Sequence, residues 1–188
     1  MRHKDLREFI SFLESKGELK RIKTSVNCEL EISEICDRVV KSGGPALLFE
    51  NVEGYDIPVL INMYGTEQRM AWALGVERLD DLVDRILQLM GMMKGPPEGI
   101  TEKLKALWQL KQMASYKHKI VSSAPCQEVV LTGDGADLNK LPILKCWPLD
   151  AGRYITLPLV VTKDPDTGTH NLGMYRIQVF DAHTAAMH

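Results

Sequence analysis

Hydrophobic periodicity changes character once along this chain, near residue 118, and that change limits the folds open to it more than any other feature. Before it, apolar residues recur at helical spacing between short strand-like runs; after it, β-branched and aromatic runs are divided by turn-rich segments. Leu6, Phe9, Ile10 and Leu13 form one helical stripe closed by Gly17, and Ile32, Ile35, Cys36 and Val39 form a second closed by Gly43 and Gly44. Residues 18–23, 46–49 and 59–62 read as strands. From residue 67 to about 116 the pattern is helical throughout. One stripe there runs through Leu82, Ile86, Leu89 and Met93, another through Leu104, Leu107, Trp108 and Met113, and Gly95-Pro96-Pro97 separates them. The expectation is an α/β (α+β) chain with a boundary near 118, giving domains over 1–117 and 118–188.

In the second part, residues 129–131, 154–162 and 170–180 are the strand candidates. Lys163-Asp164-Pro165-Asp166-Thr167-Gly168 places Pro and Gly at turn positions between the last two, which predicts an antiparallel pair.

Composition removes several classes of function. A net charge of -2 gives no basic surface for nucleic acid, and 45% apolar with 26% charged residues describes an ordinary soluble globular protein. The charged start Met1-Arg2-His3-Lys4-Asp5 is no signal core, and the longest apolar runs are too short to span a bilayer, so a cytoplasmic protein is expected. Cys28, Cys36, Cys126 and Cys146 lack metal-site or disulfide-framework spacing and read as reduced thiols.

Candidate chemistry concentrates at the end of the chain, in His170-Asn171-Leu172-Gly173-Met174-Tyr175-Arg176, with His183 and His188 close behind. Arg176 in a packed strand needs an anionic partner. A surface acid would satisfy it, as would a phosphate or carboxylate ligand. Asn171 and Arg176 are five positions apart, an odd offset that puts them on opposite faces of a regular strand. A β-bulge at Gly173 would restore the parity, and we expect one there. His170, His183 and His188 offer imidazoles to a divalent metal, and Asn171 offers a carbonyl oxygen of the kind manganese or magnesium accepts. A closed all-histidine zinc site is disfavoured, because His170 and His183 flank a strand.

Weaker signals carry blander readings. Gly133-Asp134-Gly135-Ala136-Asp137 lacks calcium-loop spacing and reads as a turn. Asp150 and Arg153 end a loop and border a pocket at most, while Trp147-Pro148 fixes the approach to the next strand. Met90, Met92 and Met93 read as core filler.

Several spaced motifs in one order resemble the UbiD family of decarboxylases. They run from Asp5-Leu6-Arg7-Glu8-Phe9 and Gly43-Gly44-Pro45-Ala46-Leu47-Leu48-Phe49-Glu50-Asn51, through Ala124-Pro125-Cys126, Leu141-Pro142-Ile143 and Cys146-Trp147-Pro148, to Asn171-Leu172-Gly173-Met174-Tyr175-Arg176. The resemblance implies an N-terminal α/β domain followed by the first part of an antiparallel split β-barrel of the flavin-reductase-like type that holds prenylated FMN. It implies that Asn171 binds the divalent metal, usually manganese, that bridges to the cofactor phosphate, with potassium as a further cation. Met174, Tyr175 and Arg176 match the cofactor-contacting triplet, and Arg176 also matches the catalytic arginine of a Glu-Arg-Glu or Glu-Arg-Asp network. His188, with Met187 beside it, falls where a cofactor or metal contact is found.

Family members are considerably longer, so the metal-binding glutamate and the catalytic acids are expected beyond residue 188, and these 188 residues alone are expected to be inactive. The implied activity is that of a carboxy-lyase: non-oxidative, reversible decarboxylation of an aromatic or α,β-unsaturated carboxylic acid, as in ubiquinone or menaquinone biosynthesis. A flavin prenyltransferase would supply the cofactor, and the full-length protein would be a homo-oligomer without nucleic-acid partners or membrane segments. Two alternatives stay open, a non-catalytic partner of a full-length subunit and an FMN-dependent oxidoreductase. An incomplete barrel should also leave strand edges and an apolar face bare, giving a poorly soluble or self-associating chain.

Overall fold

The computed structural model describes residues 3–91, 99, 107, 111 and 120–188. They divide into two compact units, residues 1–75 with 132–188, and residues 76–131.

In the first unit, helix α1 (Leu6–Ser15) starts where the Asp5 carboxylate accepts the Glu8 N–H at 2.9 Å, satisfying one of the free donors of the first turn. It ends before Gly17, which at φ 71° takes the left-handed turn that redirects the chain into β1 (Leu19–Ile22). Helix α2 (Glu31–Lys41) then crosses over to β2 (Ala46–Phe49), so β1 and β2 pair in parallel, and β3 (Val59–Ile61) joins β2 antiparallel. In this three-stranded sheet β2 is central and every one of its residues is buried. One face packs Leu47 and Phe49 with Val26, Cys28, Ile32 and Val52; the other packs Ala46 with Phe9 and Leu13 of α1.

Helix α3 (Glu67–Ala73), capped by the Thr66 hydroxyl, ties itself to this sheet through Arg69. That guanidinium is 1% exposed, binds Glu18 Oε2 at 2.6 Å and donates to the Gly44 carbonyl at 3.2 Å. Nothing in the helical periodicity marks Arg69 as buried.

The rest of the unit is antiparallel. Strands β4 (Arg153–Ile155), β7 (Ile177–Val179) and β8 (Ala185–Met187) form a sheet in the order β4-β7-β8, and β5 (Leu159–Lys163) pairs with β6 (His170–Met174) as a hairpin. The predicted pair 154–162 and 170–180 is therefore two pairs, because both strands break and their halves join different sheets. The turn between β5 and β6 is the one expected: Gly168 adopts φ 71°, and the Asp164 carboxylate accepts the N–H groups of Asp166 and Thr167.

The second unit contains helix α4 (Asp80–Gly91), which carries the expected Leu82, Ile86 and Leu89; Met93 of that stripe, most of the 104–113 stripe, and the Gly95-Pro96-Pro97 break lie outside the described residues. Met90 is 56% exposed and so does not act as core filler, while Met92 and Met93 also lie outside the described residues. The strand expected at 129–131 does not form; Val129, Val130 and Leu131 are exposed and unpaired, since β propensity without a partner strand makes no ladder. Residues 133–135 are a single 3-10 turn, as the glycines suggest.

Candidate functional site

The expected bulge at Gly173 is absent. Strand β6 keeps regular register with β5 from Lys163↔His170 to Leu159↔Met174, and Thr162 faces Asn171. The irregularity lies elsewhere: the ladder stops after Met174, and Tyr175 and Arg176 lead the chain into β7 of a different sheet.

Asn171 lies on the hairpin face that also carries Thr162, Val160 and Gly173. The Tyr175 ring folds back over Gly173, where any Cβ would collide with it, and the Tyr175 hydroxyl accepts from Asn171 Nδ2 at 3.4 Å. Gly173 is thus required for close approach of a ring. Among the described residues the Asn171 side-chain oxygen accepts no hydrogen bond, and the residue is exposed. Met174 stands on the opposite hairpin face, opposite Leu159.

Arg176 belongs to a second group. Its Nη2 meets Asp150 Oδ2 at 2.7 Å, and its Cζ lies 3.7 Å from the centroid of the Tyr154 ring. Asp150 closes a tight turn in which its N–H donates to the Trp147 carbonyl and its carboxylate accepts the Trp147 N–H. Trp147-Pro148 does set the approach to β4, and Asp150, read from sequence as a bystander, is the partner Arg176 requires. Arg176 holds the Asp150 carboxyl below the ordinary carboxylate range, and Asp150 in turn raises the Arg176 guanidinium.

Tyr154 pairs directly with Gln178 across β4 and β7, and its hydroxyl reaches Gln178 Oε1 at 3.0 Å. His188 follows β8; its N–H donates to the Arg176 carbonyl at 2.9 Å, and its Nε2 lies 3.4 Å from Gln178 Oε1. The structure thus brings Arg176 and His188 together, while the Asn171 side chain bonds only Tyr175 among the described residues. Met187 pairs with Ile177 and so occupies the other face of its strand from His188. His183 Nδ1 lies 2.9 Å from the Ala136 carbonyl, far from serving a metal with His170 or His188; no group of three His, Cys, Asp or Glu residues poised for a metal occurs among the described residues. Gln178 and Tyr154 carried no sequence signal beyond a polar residue in a strand that is 8% exposed once folded.

Beside Tyr154 lies an apolar cavity of about 600 Å³, lined by residues 59–65, 142–144 and 154–158. Arg153, two residues after the turn that ends in Asp150 and Ala151, lines a smaller polar pocket with Cys28, Lys145 and Glu53.

Comparison with known proteins decides the family. Residues 10–88 match the 3-octaprenyl-4-hydroxybenzoate carboxy-lyase N-terminal domain, and residues 118–188 match the Rift-related domain of the same carboxy-lyase. The chain belongs to the UbiD family. An uncharacterised protein of Archaeoglobus fulgidus is 53% identical over 188 residues, covering 100% of this chain and 38% of that protein. An evolved dimeric form of the UbiD-class enzyme HmfF from Pelotomaculum thermopropionicum, in complex with prFMN, superposes with TM-score 0.75 at 29% identity, over 98% of this chain and 38% of that one. The vanillic acid decarboxylase of Sedimentibacter hydroxybenzoicus, in open form, gives TM-score 0.74 at 31% identity, over 98% of this chain and 36% of its own. This UbiD chain therefore spans little more than a third of the length of these relatives. No helix among its described residues is long and apolar enough to cross a membrane.

Proposed function

We propose that this chain supplies one wall of the prenylated-FMN and metal site of a UbiD-type decarboxylase acting on an aromatic or α,β-unsaturated carboxylic acid. In this reading residues 118–188 are the first part of a split β-barrel, and the catalytic acids come from outside these 188 residues. The observation that carries it is Arg176, held at one edge by Asp150 and at one face by Tyr154, with Nε and Nη1 free of protein partners among the described residues. Such a guanidinium is a preformed receptor for a phosphate or carboxylate.

The residues present fit the cofactor. Asn171 presents an unpaired, hard carbonyl oxygen suited to manganese, and Arg176 presents a cation suited to the flavin phosphate or the substrate carboxylate. Asn171 and His188 can be contributors to a metal site only in company, since the described residues hold no complete ligand set. Potassium would need ligands beyond those identified. Met174, Tyr175 and Met187 would flank the flavin. When bound, the prenylated flavin supplies the electron sink that lets carbon dioxide leave. Arg176 orients the carboxylate and stabilises its charge without giving up a proton, because a guanidinium stays charged throughout the working pH range. The proton that replaces carbon dioxide must come from a carboxylic acid outside these residues. The whole protein is read as a cytoplasmic homo-oligomer supplied by a flavin prenyltransferase, with quinone precursors as one substrate class.

Gel filtration of the chain after incubation with prenylated FMN, with and without manganese chloride, tests this function. Retention of flavin should require manganese and should be lost in Asn171→Ala. Flavin retained without manganese and reduced by a nicotinamide would instead make this an FMN-dependent oxidoreductase.

A further inference from the structure

We propose that Tyr154 is the positioning residue that orders Arg176 and His188 as a single unit, an inference that rests on reading those two residues as cofactor or metal contacts. Strand register makes this geometry. Tyr154 and Gln178 are direct partners across β4 and β7, and Arg176, two residues before Gln178, shares its face. His188 continues β8 onto the same face, one position past Met187 and two past Ala186, the partner of Gln178.

Tyr154 then uses its two chemistries separately. Its ring face lies 3.7 Å from the Arg176 guanidinium carbon, which fixes the plane of the cation while Asp150 fixes one edge. Its hydroxyl, on a residue 8% exposed, reaches Gln178 Oε1 at 3.0 Å, and the same oxygen lies 3.4 Å from His188 Nε2. A carboxamide oxygen only accepts hydrogen bonds, so both neighbours must donate to it. In the neutral imidazole the geometry therefore gives His188 the Nε2–H tautomer and leaves Nδ1 with its lone pair, the atom available to a metal or a flavin donor. Tyr154 and His188 also meet ring to ring, with centroids 5.8 Å apart and planes at 47°.

Nitrogen NMR of the 188-residue chain reads both arms directly, through the Arg176 Nε–H resonance and the His188 imidazole nitrogens. In the unaltered chain the Arg176 Nε–H should be displaced from the free-arginine position by the ring current of Tyr154, and His188 should show the pattern of a single Nε2–H tautomer. Tyr154→Phe keeps the ring and removes the hydroxyl: Arg176 should be unchanged while His188 mixes its tautomers. Tyr154→Leu removes both, so the Arg176 Nε–H should lose the ring-current displacement and move to the position of free arginine. Unchanged His188 nitrogens in Tyr154→Phe overturn the proposal, and that variant decides alone if Tyr154→Leu does not fold. Unchanged Arg176 in a folded Tyr154→Leu overturns it equally. Titration with FMN in the presence of manganese chloride separates this from the functional reading: weaker binding by Tyr154→Leu supports the positioning role, unaltered binding despite lost NMR signatures sinks it, and unaltered binding by Arg176→Met sinks the flavin reading while the NMR result stands.

Discussion

Strand β2 and the hairpin β5–β6 are built from the same kinds of residue and end in opposite environments. Ala46, Leu47, Leu48 and Phe49 are buried between α1 on one face and α2 on the other. Leu159, Val161, Leu172 and Met174 share one face of the hairpin and each is more than half exposed. The difference teaches that strand propensity reports a pleated, apolar segment and says nothing of whether a covering layer is present. The first region is a self-sufficient core; the second carries Asn171 and Met174 on a scaffold that buries little of its own apolar surface.

That contrast can be broken by substitution. Phe49→Ala empties a fully buried position and should cost about 3–5 kcal/mol by urea unfolding, whereas Leu172→Ala should stay within about 0.5 kcal/mol. Equal costs would mean that the hairpin face is covered in solution. Next in size, Arg69→Met strips Glu18 and the Gly44 carbonyl of their partner and should cost about 2–3 kcal/mol, discounted because Glu18 is partly exposed; a neutral result would place Arg69 outside the core.

A smaller effect concerns acid. The Asp150 carboxyl is lowered in the folded state by Arg176, so its contribution is complete above the unfolded value of about 3.9 and is lost as pH falls through the folded value. Asp150→Asn should flatten the acid limb of a stability-against-pH curve, and an unchanged limb would show that the pair with Arg176 is not maintained. Smallest in folding energy, Val161→Lys should leave the melting temperature nearly unchanged but reduce light scattering, because it charges the bare hairpin face. Scattering that is already monomeric in the unaltered chain would remove the expected self-association.

Much of the fold was legible because local signals and tertiary pairing agree. Gly17 closes α1, Gly43 and Gly44 close α2, and Asp164 with Gly168 turns the hairpin, each for a backbone reason visible in one dimension. Residues 129–131 failed because β-branched residues cannot specify a partner. The site was half legible. Asn171 and Arg176 were singled out as residue types that need a metal or an anion, but the break after Met174 follows from two sheets competing for one strand, which no local pattern encodes. Asp150, Tyr154 and Gln178 were missed as partners because their roles arise from cross-strand register and a turn 26 residues away from Arg176.

The account stands on Arg176 as an anion receptor in a flavin site, and equilibrium titration of the chain with FMN in the presence of manganese chloride, followed by flavin fluorescence, tests it most directly. Arg176→Met, with fold confirmed by an unchanged melt, should bind FMN at least about tenfold more weakly, the loss expected for one charge-assisted contact. Equal affinity in the two proteins would contradict it.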